Sequence, residues 1–103
     1  MSGTVEPKTA APGQTLTITA TVLAPNGGQP IAGVQCYLRA PANGQHPLFQ
    51  IWPQPATTNA TGTATWHLTV PQVSPGVYGV EIVAYGAKQW SYVWDLAVTV
   101  TIP

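Results

Sequence analysis

The sequence predicts an all-β domain, a sandwich of about seven antiparallel strands with no disulfide. Three observations carry that prediction. Apolar residues recur at every second place, most cleanly over Thr15–Val22, where Leu16, Ile18, Ala20 and Val22 face one way and Thr15, Thr17, Thr19 and Thr21 the other. Clusters of Pro, Gly and Asn interrupt these runs about every ten residues, the spacing of a sandwich. No stretch shows the period of a helix.

Taken in order, Thr4–Pro7 reads as a first strand, stopped by Pro7, which cannot donate to a ladder. Ala11–Gln14 is a turn by the chemistry of Pro12 and Gly13. Thr15–Val22 follows, then a loop from Ala24 to Pro30. In Val34–Arg39 the inward row is Val34, Cys36 and Leu38. After a loop over Pro41–Pro47, Leu48–Trp52 reads as a short edge strand boxed in by prolines. The most regular region is 57–86, where Thr63–Val70 (Ala64, Trp66, Leu68, Val70 inward) and Val77–Ala84 (Tyr78, Val80, Ile82, Ala84 inward) are expected to face each other as a hairpin across Pro71–Gly76. A tight connection at 86–89 then leads to a last strand reaching about Thr101.

These elements imply an immunoglobulin-like β-sandwich, with Tyr78 placed to form a tyrosine corner and Val80 where disulfide-bonded members carry a Cys. The expected core is Leu16, Ile18, Val22, Cys36, Leu38, Trp66, Leu68, Tyr78, Val80, Ile82, Leu96 and Val98. The register of the last hairpin stays open. A loop at 86–89 pairs Ile82 with Val93, yet Leu96, Val98 and Val100 have the opposite parity, and one residue of slip turns every side chain over.

Composition bounds the function. The 103 residues form one domain, 1–103, with enough chain for a modest core. Net charge is zero, which leaves no basic footprint for nucleic acid and no basic amphipathic segment for a membrane. Only 6% of residues are charged, against about 25% in ordinary domains. Either the chain is a robust threonine-rich module or neighbours in an assembly cover its surface. No apolar run approaches the roughly 18 residues a spanning helix needs, and the first residues lack the charged leader and apolar core of a secretory signal. The Met1 start fits a whole small protein or a trimmed domain with an added Met.

The inventory for catalysis is thin. Glu81 and Asp95 fall on neighbouring strands and could approach, but nothing in the sequence frames them as an acid–base pair. His46 and His67 lack the spacing of a metal site, and Cys36 reads as a small buried hydrophobe. Asn59-Ala60-Thr61 is read as a turn and not as a glycosylation site. The chain is therefore expected not to be an enzyme, with no catalytic residue, metal ligand or cofactor. The positive signal is aromatic: four Trp exceed what one sandwich core needs, and exposed Trp and Tyr serve interfaces. Trp52, Lys88, Trp90 and Tyr92 are the expected contact residues.

Four segments carry a family resemblance: Pro12-Gly13 leading into 16–20, Gln29–Val34, Thr58–Ala64 and Pro75–Tyr78. Together they resemble the bacterial Ig-like domains repeated in invasin- and intimin-type adhesins and carried on the virions of tailed bacteriophages. The resemblance implies a structural or adhesive module, expected foremost as a small virion-surface decoration protein docking on a larger assembly. The alternatives are a repeat of a bacterial cell-surface or secreted adhesin, or a carbohydrate-binding module using exposed Trp and Tyr. A protein partner is expected, including a homo-oligomer, with a surface polysaccharide as the other ligand class.

Overall fold

The computed structural model describes residues 1–24, 28–42, 44–85 and 93–103. Seven strands form two antiparallel sheets, with no helix among the described residues. The strands are β1 (Ser2–Glu6), β2 (Thr15–Thr21), β3 (Gln35–Arg39), β4 (Ala56–Thr57), β5 (Thr63–Thr69), β6 (Gly76–Tyr85) and β7 (Val93–Ile102). One sheet has the order β1-β2-β5 and the other β4-β3-β6-β7. The all-β sandwich expected from the sequence is the observed fold, and Cys36 is free and buried.

Alternation explains the layers. β2 and β5 pair with Ile18 opposite Trp66 and Thr17 opposite His67, so their apolar rows face the second sheet and their threonines face water. Leu16, Ile18, Val22, Cys36, Leu38, Trp66, Val80 and Ile82 are buried, Leu68, Tyr78 and Val98 lie half-buried on the same core, and Leu96 is half-buried. Tyr78 closes the expected corner, its hydroxyl donating to the Ser74 carbonyl at 2.6 Å. Asn59 also does what a turn residue should. Its Oδ1 accepts from the Thr61 and Thr63 amides at 3.0 and 3.1 Å.

Three expectations about elements are corrected. Thr63–Thr69 and Gly76–Tyr85 do not form a hairpin: β5 pairs with β2 in one sheet, and β6 with β3 and β7 in the other. The linker between them, punctuated by Pro71 and Pro75, carries the chain across the core, and two apolar rows that face each other across a core have the same alternation as two that pair. Leu48–Trp52 is not a strand. Leu48 is instead a buried plug whose amide donates to the Gly79 carbonyl at 3.2 Å, and the short edge strand is Ala56–Thr57. In the last hairpin Ile82 pairs with Leu96 and Tyr85 with Val93. Leu96, Val98 and Val100 therefore take the inward parity, and the connection expected at 86–89 lies outside the described residues.

Candidate functional site

β7 borders its sheet and is treated differently at its two ends. At the C-terminal end the segment after Pro7 runs beside it: Thr101 donates to the Lys8 carbonyl at 2.9 Å and accepts from the Ala10 amide at 3.0 Å. The inward residues there, Val100 and Ile102, are 0% and 2% exposed. Further up the strand that cover ends. Among the described residues, the backbone of Asp95, Ala97 and Thr99 meets no partner on the side away from β6. The inward Trp94, Leu96 and Val98 are only half-buried. A cleft of ≈ 400 Å³ opens along this seam, lined by Gly3 to Glu6, Lys8 and Ala97 to Thr99.

Gly3 sets the width of the seam. A Cβ there would meet Leu96 Cδ2 at 2.7 Å and Ile82 Cδ1 at 2.9 Å, so only glycine lets β1 lie this close to β7.

The outer face of β3, β6 and β7 adds a charged cluster beside the same stretch. Arg39 Nε donates to Glu81 Oε2 at 2.5 Å, and its Nη2 reaches Asp95 Oδ2 at 3.5 Å. Glu81 Oε1 also accepts from the Ala42 amide at 3.0 Å. Burial raises the Glu81 carboxyl, but the Ala42 amide and the Arg39 guanidinium outweigh it and hold it below its ordinary value. The hydrogen bond to Glu81 raises the Arg39 guanidinium in turn. The two carboxylates do come near, as the sequence allowed, but with an arginine between them. Tyr37 and Tyr85 stack edge to face on this surface, centroids 5.5 Å apart.

Of the expected contact residues, Trp52 is half-buried on the core, edge-on to Phe49 with centroids 5.7 Å apart. Lys88, Trp90 and Tyr92 lie outside the described residues. Trp94 is half-buried on the core, and Trp66 is buried with its Nε1 donating to the Gln54 carbonyl. Sequence reasoning missed the free edge of β7. Its signal was present in a run, Asp95–Thr99, that contains no Pro, Lys or Arg.

No protein-family model matches the chain, and no curated protein matches it. Among solved structures it is similar to a superoxide reductase (neelaredoxin) from Ignicoccus hospitalis. That likeness has a TM-score of 0.56 and 13% identity, and covers 100% of this chain and 81% of the other. At that identity it is a likeness of fold. It corrects two expectations. The chain was expected to be a non-catalytic virion decoration module, with an adhesin repeat or a carbohydrate-binding module as alternatives, but the whole chain superposes on an enzyme and on none of these. The expectation that it is not an enzyme falls for the same reason, since enzymes use this sandwich.

Reducing superoxide delivers an electron and protons to oxygen and requires a one-electron centre. The donors here do not fit one held by metal. Cys36 is inside the core, its S–H directed at the Val34 carbonyl, and burial pushes the thiol up to about 11. His67 is on the outer face of β5, 3.2 Å from the Thr17 hydroxyl, and His46 is in the loop beside Gly79. Among the described residues no three His, Cys, Asp or Glu come together. No catalytic step is assigned to them.

Proposed function

We propose that this chain is a protein-binding domain that takes an extended segment of a protein partner as an added strand along β7. The observation that carries the reading is the change along that strand, from buried Val100 and Ile102 beside the 8–10 segment to half-buried Leu96 and Val98 where the segment stops. An added strand would satisfy the outward backbone groups of Asp95, Ala97 and Thr99 and cover the apolar row beneath them, the combination by which sheet edges bind peptides. The low charge of the chain leaves this edge without the lysines that usually discourage pairing. β5 is also a border strand, but its inward Ala64 and Trp66 are 2% and 5% exposed and Leu68 alone of that row is half-buried, so a strand added there would cover less.

The test is amide hydrogen exchange of the protein with a short peptide of alternating valine and threonine, lysine at each end. The expected result is slowed exchange at Asp95, Ala97 and Thr99. Protection confined to β5, or none anywhere, overturns the reading.

A further inference from the structure

We infer that the segment β7 receives carries a lysine or arginine beside Asp95, with an apolar residue on each side of it in sequence. This rests on the strand-adding reading above and adds the side-chain chemistry of the partner.

Facing residues on neighbouring strands point to the same side of a sheet. Whichever way the added segment runs, its residue beside Asp95 therefore stands on the outer face, and that residue's two chain neighbours turn inward. The inward places lie along Leu96 and Val98, which are half-buried in the single chain. Apolar side chains there would extend the seal that already covers Val100 and Ile102.

Charge decides the outer place. Arg39 Nε donates to Glu81 Oε2 at 2.5 Å, and the Glu81 side chain is buried, so the guanidinium is balanced chiefly by that carboxylate. Asp95 keeps a longer contact with Nη2, 3.5 Å, and its side chain is 50% exposed. Two carboxylates thus share one guanidinium, and the unbalanced negative charge lies on Asp95, at the border of the sheet. Glu6 and Lys8 also line the seam, but they stand two residues apart and carry opposite signs.

The neighbouring places fit a long basic side chain. Ala97, the next outward residue of β7, is small and exposed, which leaves room for an aliphatic stem along the strand. An acidic residue beside Asp95 would instead oppose a like charge, which destabilises a cross-strand pair. β7 itself contains no lysine or arginine, so a second copy of the strand would not supply the cation.

The test titrates isotope-labelled protein with short capped peptides of alternating threonine and valine whose central residue is lysine, glutamine or glutamate. Affinity and amide protection are read by NMR. The expected order is lysine, then glutamine, then glutamate, with about threefold between the first two at low salt. In Asp95→Asn the preference for lysine is expected to vanish, and in Asp95→Lys the glutamate peptide should bind best. Equal affinity of these peptides for the native chain, or a lysine preference that survives Asp95→Asn, overturns the basic residue and leaves strand addition standing if Ala97 and Thr99 are protected. Protection of those amides that grows with protein concentration, with no peptide present, overturns the separate partner in favour of a second copy. Absence of protection with every peptide overturns the strand-adding reading beneath it.

Discussion

Five residues of β7 alternate toward the core in identical fashion, yet Val100 and Ile102 are sealed while Trp94, Leu96 and Val98 are half-buried. Their apolar character differs little, so the side chains do not explain the difference. What differs is the neighbouring backbone: the segment at Lys8–Ala10 lies along one half of the strand and is absent from the other. Burial here is a property of what covers a strand, and half of an otherwise regular strand remains available to a partner.

The comparison can be broken most decisively by truncation. Ile102→Ala should cost about 3 kcal/mol, the usual loss for a sealed aliphatic side chain. Leu96→Ala should cost about half as much, because part of its surface is already in water. Chemical denaturation at low protein concentration measures both, and equal losses would show that the two halves are equally packed.

Next in size is the cluster that holds the open half from outside. Glu81→Gln leaves Arg39 and the Ala42 amide without their carboxylate and should cost about 2 kcal/mol. Acid should do the same to the native chain. The folded-state value of Glu81 lies below its ordinary 4.5, so its contribution is present above that pH and is lost as the pH falls below it. Denaturation midpoints from pH 7 down to pH 3 should fall for the native chain and stay flatter for the Gln variant.

The smallest effect sharpens the contrast most. Thr101→Pro removes an amide that donates to the Lys8 carbonyl, whereas Ala97→Pro removes one of the same parity that meets no partner among the described residues. In the dilute single chain the first should cost about 1 kcal/mol more than the second, the net worth of one hydrogen bond. With the valine–threonine peptide bound the order should narrow, because Ala97 then gains a partner. Thermal unfolding with and without the peptide reads both.

Much of the sandwich was legible from residues alone. Leu16-Thr17-Ile18-Thr19 alternates so regularly that only a half-buried strand satisfies it, and the turn at Asn59 follows from its own side chain. The candidate site was less legible. Trp52 drew attention for its size, but the proline-bounded run around it became a plug and not a strand, with Leu48 buried and bonded to Gly79. The aromatic signal at Trp90 and Tyr92 falls outside the described residues. Val93–Val100 named its apolar row but not its neighbour, because alternation records which face is dry and not which strand lies alongside.

The sequence by itself determined every strand except the short β4, the turns at Pro12-Gly13 and Asn59, the free and buried Cys36, and the apolar faces. All of these follow from chemistry within a few residues. Only the tertiary structure decided that β5 and β6 cross between sheets, that Ile82 pairs with Leu96, and that cover on β7 stops after Thr101. Those outcomes depend on contacts between segments far apart in the chain, which many arrangements of the same alternating pattern could satisfy equally well until the whole core is packed.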